Sequence, residues 1–251
     1  MIKVHRWSAN NPTFAAVIVH GYGEHARRYD HVAEALVAEG ADVYAPDHLG
    51  HGESDGERAS IQDMGVLVDD TADVVATARE TGLPVVMIGH SLGGIIATHY
   101  AQRPDHGLTA LVLSGPVIGG NPDLLGLVNL PEIPEIPIDP AILSRDPATG
   151  EAYAADPLVY HGPFKRETLQ AIIDSVEKIA GDGDLGDLPT LWIHGEEDGL
   201  APLSATRPAI ERVRGSALEE KVYPGARHEV FNETNRDEVI ADVIAFVKRA
   251  L

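Results

Sequence analysis

A serine set among glycines, Gly89-His90-Ser91-Leu92-Gly93-Gly94, follows the apolar run 83–88 and opens a helical segment. Gly-x-Ser-x-Gly between a strand and a helix makes a nucleophile elbow, a sharp and strained turn that lifts the serine Oγ out at the sheet edge. The oxygen then stands above a helix N-terminus, where backbone N–H groups and the helix dipole favour negative charge developing on an attacked acyl group. Glycines serve this turn because side chains beside the serine would collide with the strand and the helix.

A serine hydroxyl needs a base to take its proton, and the base needs an orienting carboxylate. Behind such an elbow the acid comes first and the histidine second, each after a later strand. Of the twelve histidines, His194 and His228 alone lie beyond residue 161. His194 falls inside the expected strand 190–194, beside Gly195, which marks it as structural. His228 follows Tyr223-Pro224-Gly225-Ala226-Arg227 in the loop after the expected strand 219–223, and is the better base. Glu196, Glu197 and Asp198 all compete for the acid. Asp198 leads into Gly199-Leu200-Ala201-Pro202, a turn that starts a helix, and this favours it; spacing alone leaves the two glutamates open. A second glycine-bearing loop, His20-Gly21-Tyr22-Gly23-Glu24-His25, directly follows the expected strand 14–20. It supplies one backbone N–H to an oxyanion hole, and the Leu92 N–H supplies the other.

These side chains need a scaffold. Short apolar, β-branched runs at 14–20, 42–46, 84–90, 108–114, 190–194 and 219–223 alternate with amphipathic stretches at 28–39, 61–80, 91–102, 165–180, 203–214 and 234–249. Such alternation specifies a mostly parallel sheet covered by helices, and continuous runs such as Val85-Val86-Met87-Ile88 suit strands buried on both faces. The pattern breaks between Val117 and Gly162, where Pro122, Pro131, Pro134, Pro137 and Pro140 exclude a regular helix or inner strand. With Leu124, Leu125, Leu127, Val128 and Leu130 in it, this stretch reads as a packed insertion over the sheet. The organisation expected is a core of 1–117 and 163–251 with a cap at 118–162.

The chain has 251 residues and a formal charge of −20. That charge excludes nucleic acid as a partner and docking on anionic lipid through basic residues. The absence of cysteine removes disulfides, thiolate metal sites and a cysteine nucleophile. The start carries no signal-type apolar core and no run approaches the ~18 residues of a membrane span, so the expectation is a soluble, cytoplasmic protein. Asp47, His48, His51 and Glu53 lie in a glycine-rich turn that needs no metal. Asp182-Gly183-Asp184-Leu185-Gly186-Asp187 lacks the closing glutamate of a calcium loop. His228-Glu229-Val230-Phe231-Asn232 lacks the second histidine of a zinc-protease helix.

His20-Gly21-Tyr22-Gly23-Glu24-His25-Ala26-Arg27-Arg28-Tyr29 resembles the opening signature of the monoacylglycerol lipase family of serine α/β-hydrolases. Asp47-His48-Leu49-Gly50-His51-Gly52-Glu53-Ser54, the Gly89–Gly94 turn, His194-Gly195 with Asp198 and Pro202, and Tyr223-Pro224-Gly225 before His228-Glu229 are similar too. The resemblance runs from about Phe14 to the C-terminus, and implies the α/β-hydrolase fold with a cap. It implies Ser91 as nucleophile, Asp198 as acid and His228 as base, with Tyr22 and Leu92 giving the oxyanion N–H groups. This settles the choice among Glu196, Glu197 and Asp198. About thirteen residues precede the first buried strand, so the family's leading hairpin is expected to be shortened.

The activity implied is hydrolysis of a monoacylglycerol to glycerol and a fatty acid through an acyl-enzyme, with no metal or organic cofactor. A broader carboxylesterase or lysophospholipase would use the same residues, and a ligand-binding protein on this fold would keep the pocket without the chemistry. Glu24 and Arg28 are candidates for the polar end of the pocket, a local salt bridge being their simpler role. The expected partner is a small neutral lipid ester; the oligomeric state is left open. Leu124–Leu130 reads equally as a lid face making transient contact with neutral lipid surfaces and as the inside of the cap. The acidic residues Asp123, Glu132, Glu135, Asp139, Asp146, Glu151 and Asp156 outnumber Arg145 in this stretch, so contact there must be hydrophobic.

Overall fold

The computed structural model describes residues 1–135 and 137–251. The chain runs β1 (Val4–Ser8), β2 (Phe14–Val19), α1 (Asp30–Ala38), β3 (Ala41–Pro46), α2 (Met64–Arg79), β4 (Val85–His90), α3 (Leu92–Ala101) and β5 (Ala110–Ser114). It continues with α4 (Pro122–Leu125), α5 (Pro147–Ala155), α6 (Arg166–Gly181), β6 (Thr190–Gly195), α7 (Leu203–Val213), β7 (Leu218–Tyr223) and α8 (Arg236–Ala250). Seven strands form one sheet in the order β1-β3-β2-β4-β5-β6-β7. All neighbours are parallel except β1 with β3.

Strand periodicity divides the core. Ala15, Val17 and Val19 of β2 face one apolar cluster together with residues of α2, α3 and α6. Phe14, Ala16 and Ile18 face the other, with residues of α1 and α8. Each inner strand is therefore buried at every position and mostly apolar, because helices cover both faces. The stripe Val239, Val243, Phe246 and Val247 of α8 is buried at helical spacing, as a packing surface should be.

Two features depart from the sequence expectation. Strand β1 was not anticipated; it pairs from Val4↔Pro46 to Ser8↔Asp42, and only His5 of its five residues is buried. Helix α5 contradicts the exclusion of regular helix from the proline-rich stretch. Pro147 sits in the first turn, where a missing N–H costs nothing, and the Asp146 side chain caps the helix by accepting the Ala148 N–H at 3.0 Å. Pro122 opens α4 in the same way, behind the Asn121 cap. Prolines at this spacing start short helices as readily as they prevent long ones.

The stretch between β5 and α6 crosses the ends of the parallel strands. Leu124 lines the cleft there, Leu125 packs on the core, and Leu130 is exposed. Arg166 holds its Val128, Leu130 and Pro131 carbonyls, and Arg145 pairs with Glu233 at 2.9 Å. Among the described residues no helix is long and apolar enough to cross a membrane.

Candidate active site

The site lies at the C-terminal ends of β2, β4, β6 and β7, where an open parallel sheet leaves its crevice. Ser91 joins β4 to α3 with φ 55° and ψ −117°, a conformation that strains a residue with a side chain. The glycines around it are forced by contact: a Cβ on Gly93 would lie 2.0 Å from the Val19 carbonyl oxygen, and one on Gly89 2.4 Å from that of Gly93. The turn is tied to β5 by the Ser91 N–H, which donates to the Ser114 carbonyl at 2.9 Å.

Ser91, His228 and Asp198 form one hydrogen-bonded line. Ser91 Oγ donates to His228 Nε2 at 2.8 Å, and His228 Nδ1 donates to Asp198 Oδ2 at 2.8 Å. Asp198 Oδ1 accepts the Leu200 and Ala201 N–H groups at 2.9 and 2.8 Å, which fixes the carboxylate. Burial pulls the His228 pKa down, but the Asp198 carboxylate, with Glu229 and Glu24 behind it, outweighs burial and raises it above 6.5. Burial likewise works against the Asp198 charge, and His228 outweighs it, so the carboxyl stays below its usual range. Glu196 and Glu197 are exposed and outside this line; Glu196 accepts the Gly225 N–H instead. His194 accepts from Trp192 Nε1 at 3.1 Å and donates from Nε2 to the Ala201 carbonyl at 2.7 Å, so it braces the Asp198 loop.

The loop after β2 passes directly beside the serine. A Cβ on Gly21 would come within 3.1 Å of Ser91 Cβ. Among the described residues neither the Tyr22 nor the Leu92 N–H is taken by another group. His20 anchors this loop from behind. The His48 N–H donates to His20 Nε2 at 3.0 Å, which leaves the ring proton on Nδ1 to bond the Gly21 carbonyl at 2.7 Å. Asp47, considered with its neighbours as a metal site, instead accepts from the Ala26 and Glu53 N–H groups and pairs with His5.

Glu24 and Arg28 do form the local pair, with Nη1 2.6 Å from Oε2, and they also line the cleft. Glu24 Oε1 accepts the Gly21 N–H at 2.6 Å and the Tyr29 hydroxyl at 2.7 Å. The sequence reading gave no role to Glu229 or Tyr153. Glu229 grips Arg28 through two bonds of 2.7 Å, and the Arg28 guanidinium lies 5.1 Å from the Tyr153 ring centre. Its position next to His228 was the available signal; its partner, 201 residues away, was not visible. The cleft lining combines charged side chains (Glu24, Arg28, Glu229) with apolar ones (Leu124, Ile138, Leu143, Ile172 and Leu200).

A family model described as serine aminopeptidase, S33, matches residues 10–235. The monoacylglycerol lipase of Mycolicibacterium smegmatis is 37% identical over 248 residues, covering 94% of this chain and 89% of that protein. The Homo sapiens monoglyceride lipase is 32% identical over 242 residues, covering 90% and 79%. The crystal structure of Paleococcus ferrophilus monoacylglycerol lipase superposes with a TM-score of 0.83 at 27% identity, covering 99% of this chain and all of the other. Sheet order and the turn at Ser91 define an α/β-hydrolase. Within that class the chain belongs to the monoacylglycerol lipase family, a family of carboxylic ester hydrolases.

Proposed function

We propose that this protein hydrolyses monoacylglycerols to glycerol and a fatty acid through an acyl-enzyme on Ser91. The observation that carries the chemistry is the line Ser91–His228–Asp198, with both links at 2.8 Å, on the floor of the cleft. His228 takes the Ser91 proton as Oγ attacks the ester carbonyl, and the Tyr22 and Leu92 N–H groups stabilise the oxyanion. His228 then gives its proton to the departing glycerol oxygen. Water enters, gives a proton to His228 and attacks the acyl carbon. The acyl–Oγ bond breaks as Ser91 takes that proton back from His228, and the acid is released. Asp198 holds the imidazole in the required tautomer and stabilises its charged form.

The substrate class follows from the mixed lining of the cleft. The leucine and isoleucine wall suits an acyl chain. Beside this wall two buried carboxylates face one guanidinium, so the local balance is negative. A glycerol headgroup can donate hydroxyls to these oxygens, whereas a phosphate would be repelled and desolvated. Residues 118–162 act as a cap on a core of 1–117 and 163–251; Leu124, Ile138, Leu143 and Tyr153 all reach the cleft from that stretch.

A phosphonate active-site label with mass mapping tests the chemistry: modification is expected at Ser91, and folded protein that leaves Ser91 unlabelled would refute it. A panel of esters tests the substrate. Monoacylglycerol should be cleaved well above lysophospholipid and triacylglycerol; a preference for either of those overturns the assignment.

A further inference from the structure

Loop 21–25 has a second set of partners, contributed by residues 156–164. Gly23, at a left-handed φ of 74°, accepts the Tyr160 N–H on its carbonyl at 2.7 Å. His25 Nε2 donates to Asp156 Oδ2 at 2.9 Å, and the His25 side chain is only 5% exposed. Among the described residues its Nδ1 has no partner, so this bond is the ring's one polar anchor. The other Asp156 oxygen accepts the Leu158 N–H at 2.8 Å, which fixes the carboxylate. The Tyr22 ring stacks on Phe164 with centres 4.9 Å apart and meets Tyr160 edge-on at 6.3 Å. From the core, the loop is held at its start by Glu24 and His20 on Gly21 and just past its end by Asp47 on the Ala26 N–H. Among the described residues, the backbone at 22–23 between these points is bonded only by the Tyr160 N–H. Tyr22 therefore sits between core anchors at Gly21 and Ala26, with residues 156–164 packed against it from the other side.

We propose that Asp156 and His25 are positioning residues for the Tyr22 N–H, so that the cap sets the rate of acyl transfer as well as enclosing the acyl chain. This rests on reading Tyr22 as an oxyanion donor. A glycine on each side of Tyr22 leaves the backbone there little stiffness of its own. Electrostatic stabilisation needs donors fixed before charge develops, and a misplacement of about 1 Å can reduce rate by roughly 100-fold. Without the clasp at His25, the backbone at 22–23 between its two fixed ends loses support from residues 156–164 and the hole is looser.

The test compares kcat and KM for p-nitrophenyl acetate, too short to need the acyl wall, and for a long-chain monoacylglycerol. Asp156→Ala and His25→Ala should each lower kcat on the short ester by about tenfold with KM within twofold. The double variant should be no worse than either single one, because the pair acts as a unit. His25→Gln, which keeps an N–H near the Nε2 position, should recover most of the lost kcat. Should Asp156→Ala fail to fold, Asp156→Asn carries the comparison, since it retains an acceptor for the Leu158 N–H. Unchanged kcat on the short ester, or a rise confined to KM for the long one, overturns the proposal and leaves the cap as a wall. Wild-type protein inert toward both esters and toward the phosphonate label would instead overturn the functional reading, and this inference with it.

Discussion

Arg28 and Glu229, 201 residues apart in sequence, meet in a two-pronged ion pair with both bonds at 2.7 Å, one residue from the imidazole of His228. The second carboxylate on Arg28, from Glu24, continues to the Gly21 N–H. One guanidinium thus links the loop carrying His228 to the loop proposed to hold the oxyanion. Its removal should disturb the stability of the protein before anything else.

Arg28→Ala leaves Glu24 and Glu229 buried without a counter-charge. Breaking a buried pair by removing one partner costs about 3–5 kcal/mol. Urea unfolding followed by circular dichroism should show a loss of that order; a change below about 1 kcal/mol would mean that water reaches the carboxylates.

Glu229 also gives a pH signature. Burial would raise its pKa, but Arg28 outweighs burial and holds it at about 2, below the ordinary 4.5. A carboxyl depressed on folding contributes stability that is complete above 4.5 and lost as pH falls toward 2. Glu229→Gln should therefore flatten the acid limb of the stability profile in that window. An unaltered limb would place the lost stability in other carboxylates.

The proposed chemistry predicts its own pH dependence. His228 must be neutral to take the Ser91 proton, and its pKa is raised, so the imidazolium persists to higher pH. The acid limb of kcat/KM should have its midpoint above 6.5, with activity rising through it. Asp198→Asn should lower kcat by roughly 10⁴-fold, through loss of the tautomer, and move any residual limb downward. A midpoint below 6.5 in the wild type would contradict the environment described for His228.

Ser91→Ala and His228→Ala should each reduce hydrolysis by up to about 10⁶-fold, and the double variant should fall little further, as for residues that act together. Steady-state assays with freshly purified protein measure this directly. Near-wild-type turnover in His228→Ala would mean that another group serves as the base.

Gly93→Ala should be severely destabilising, because the new Cβ would lie 2.0 Å from a backbone oxygen in the neighbouring strand. Thermal unfolding should show a loss of several degrees, together with lost activity as the elbow shifts. A variant with unchanged Tm would mean that β2 and α3 can move apart cheaply.

The inner strands were legible in sequence because burial on both faces makes them continuous apolar runs, β4 above all. The elbow was legible for the same reason: its glycines border an unmistakable strand. Strand β1 was not, since an edge strand with one buried residue offers no such run. Helix α5 was hidden by a rule applied without position, for proline breaks a helix interior and not its first turn. The polar part of the cleft lining was half legible. Glu24 and Arg28 are four residues apart and suggest a pair, but Glu229 and Tyr153 join them only through tertiary contact.

The histidines around the serine give the cleft a simple electrical behaviour. Burial pushes His48 and His90 down to about 4 and His51 to about 3, and His20 lies well below its ordinary value. Near neutrality these four rings are uncharged, while Asp198 raises the pKa of His228 alone among the five. The potential felt at Ser91 then switches with one proton rather than drifting with several. Seen from outside, the acid side of the rate profile should have unit slope, the response of a single isolated group despite the company it keeps.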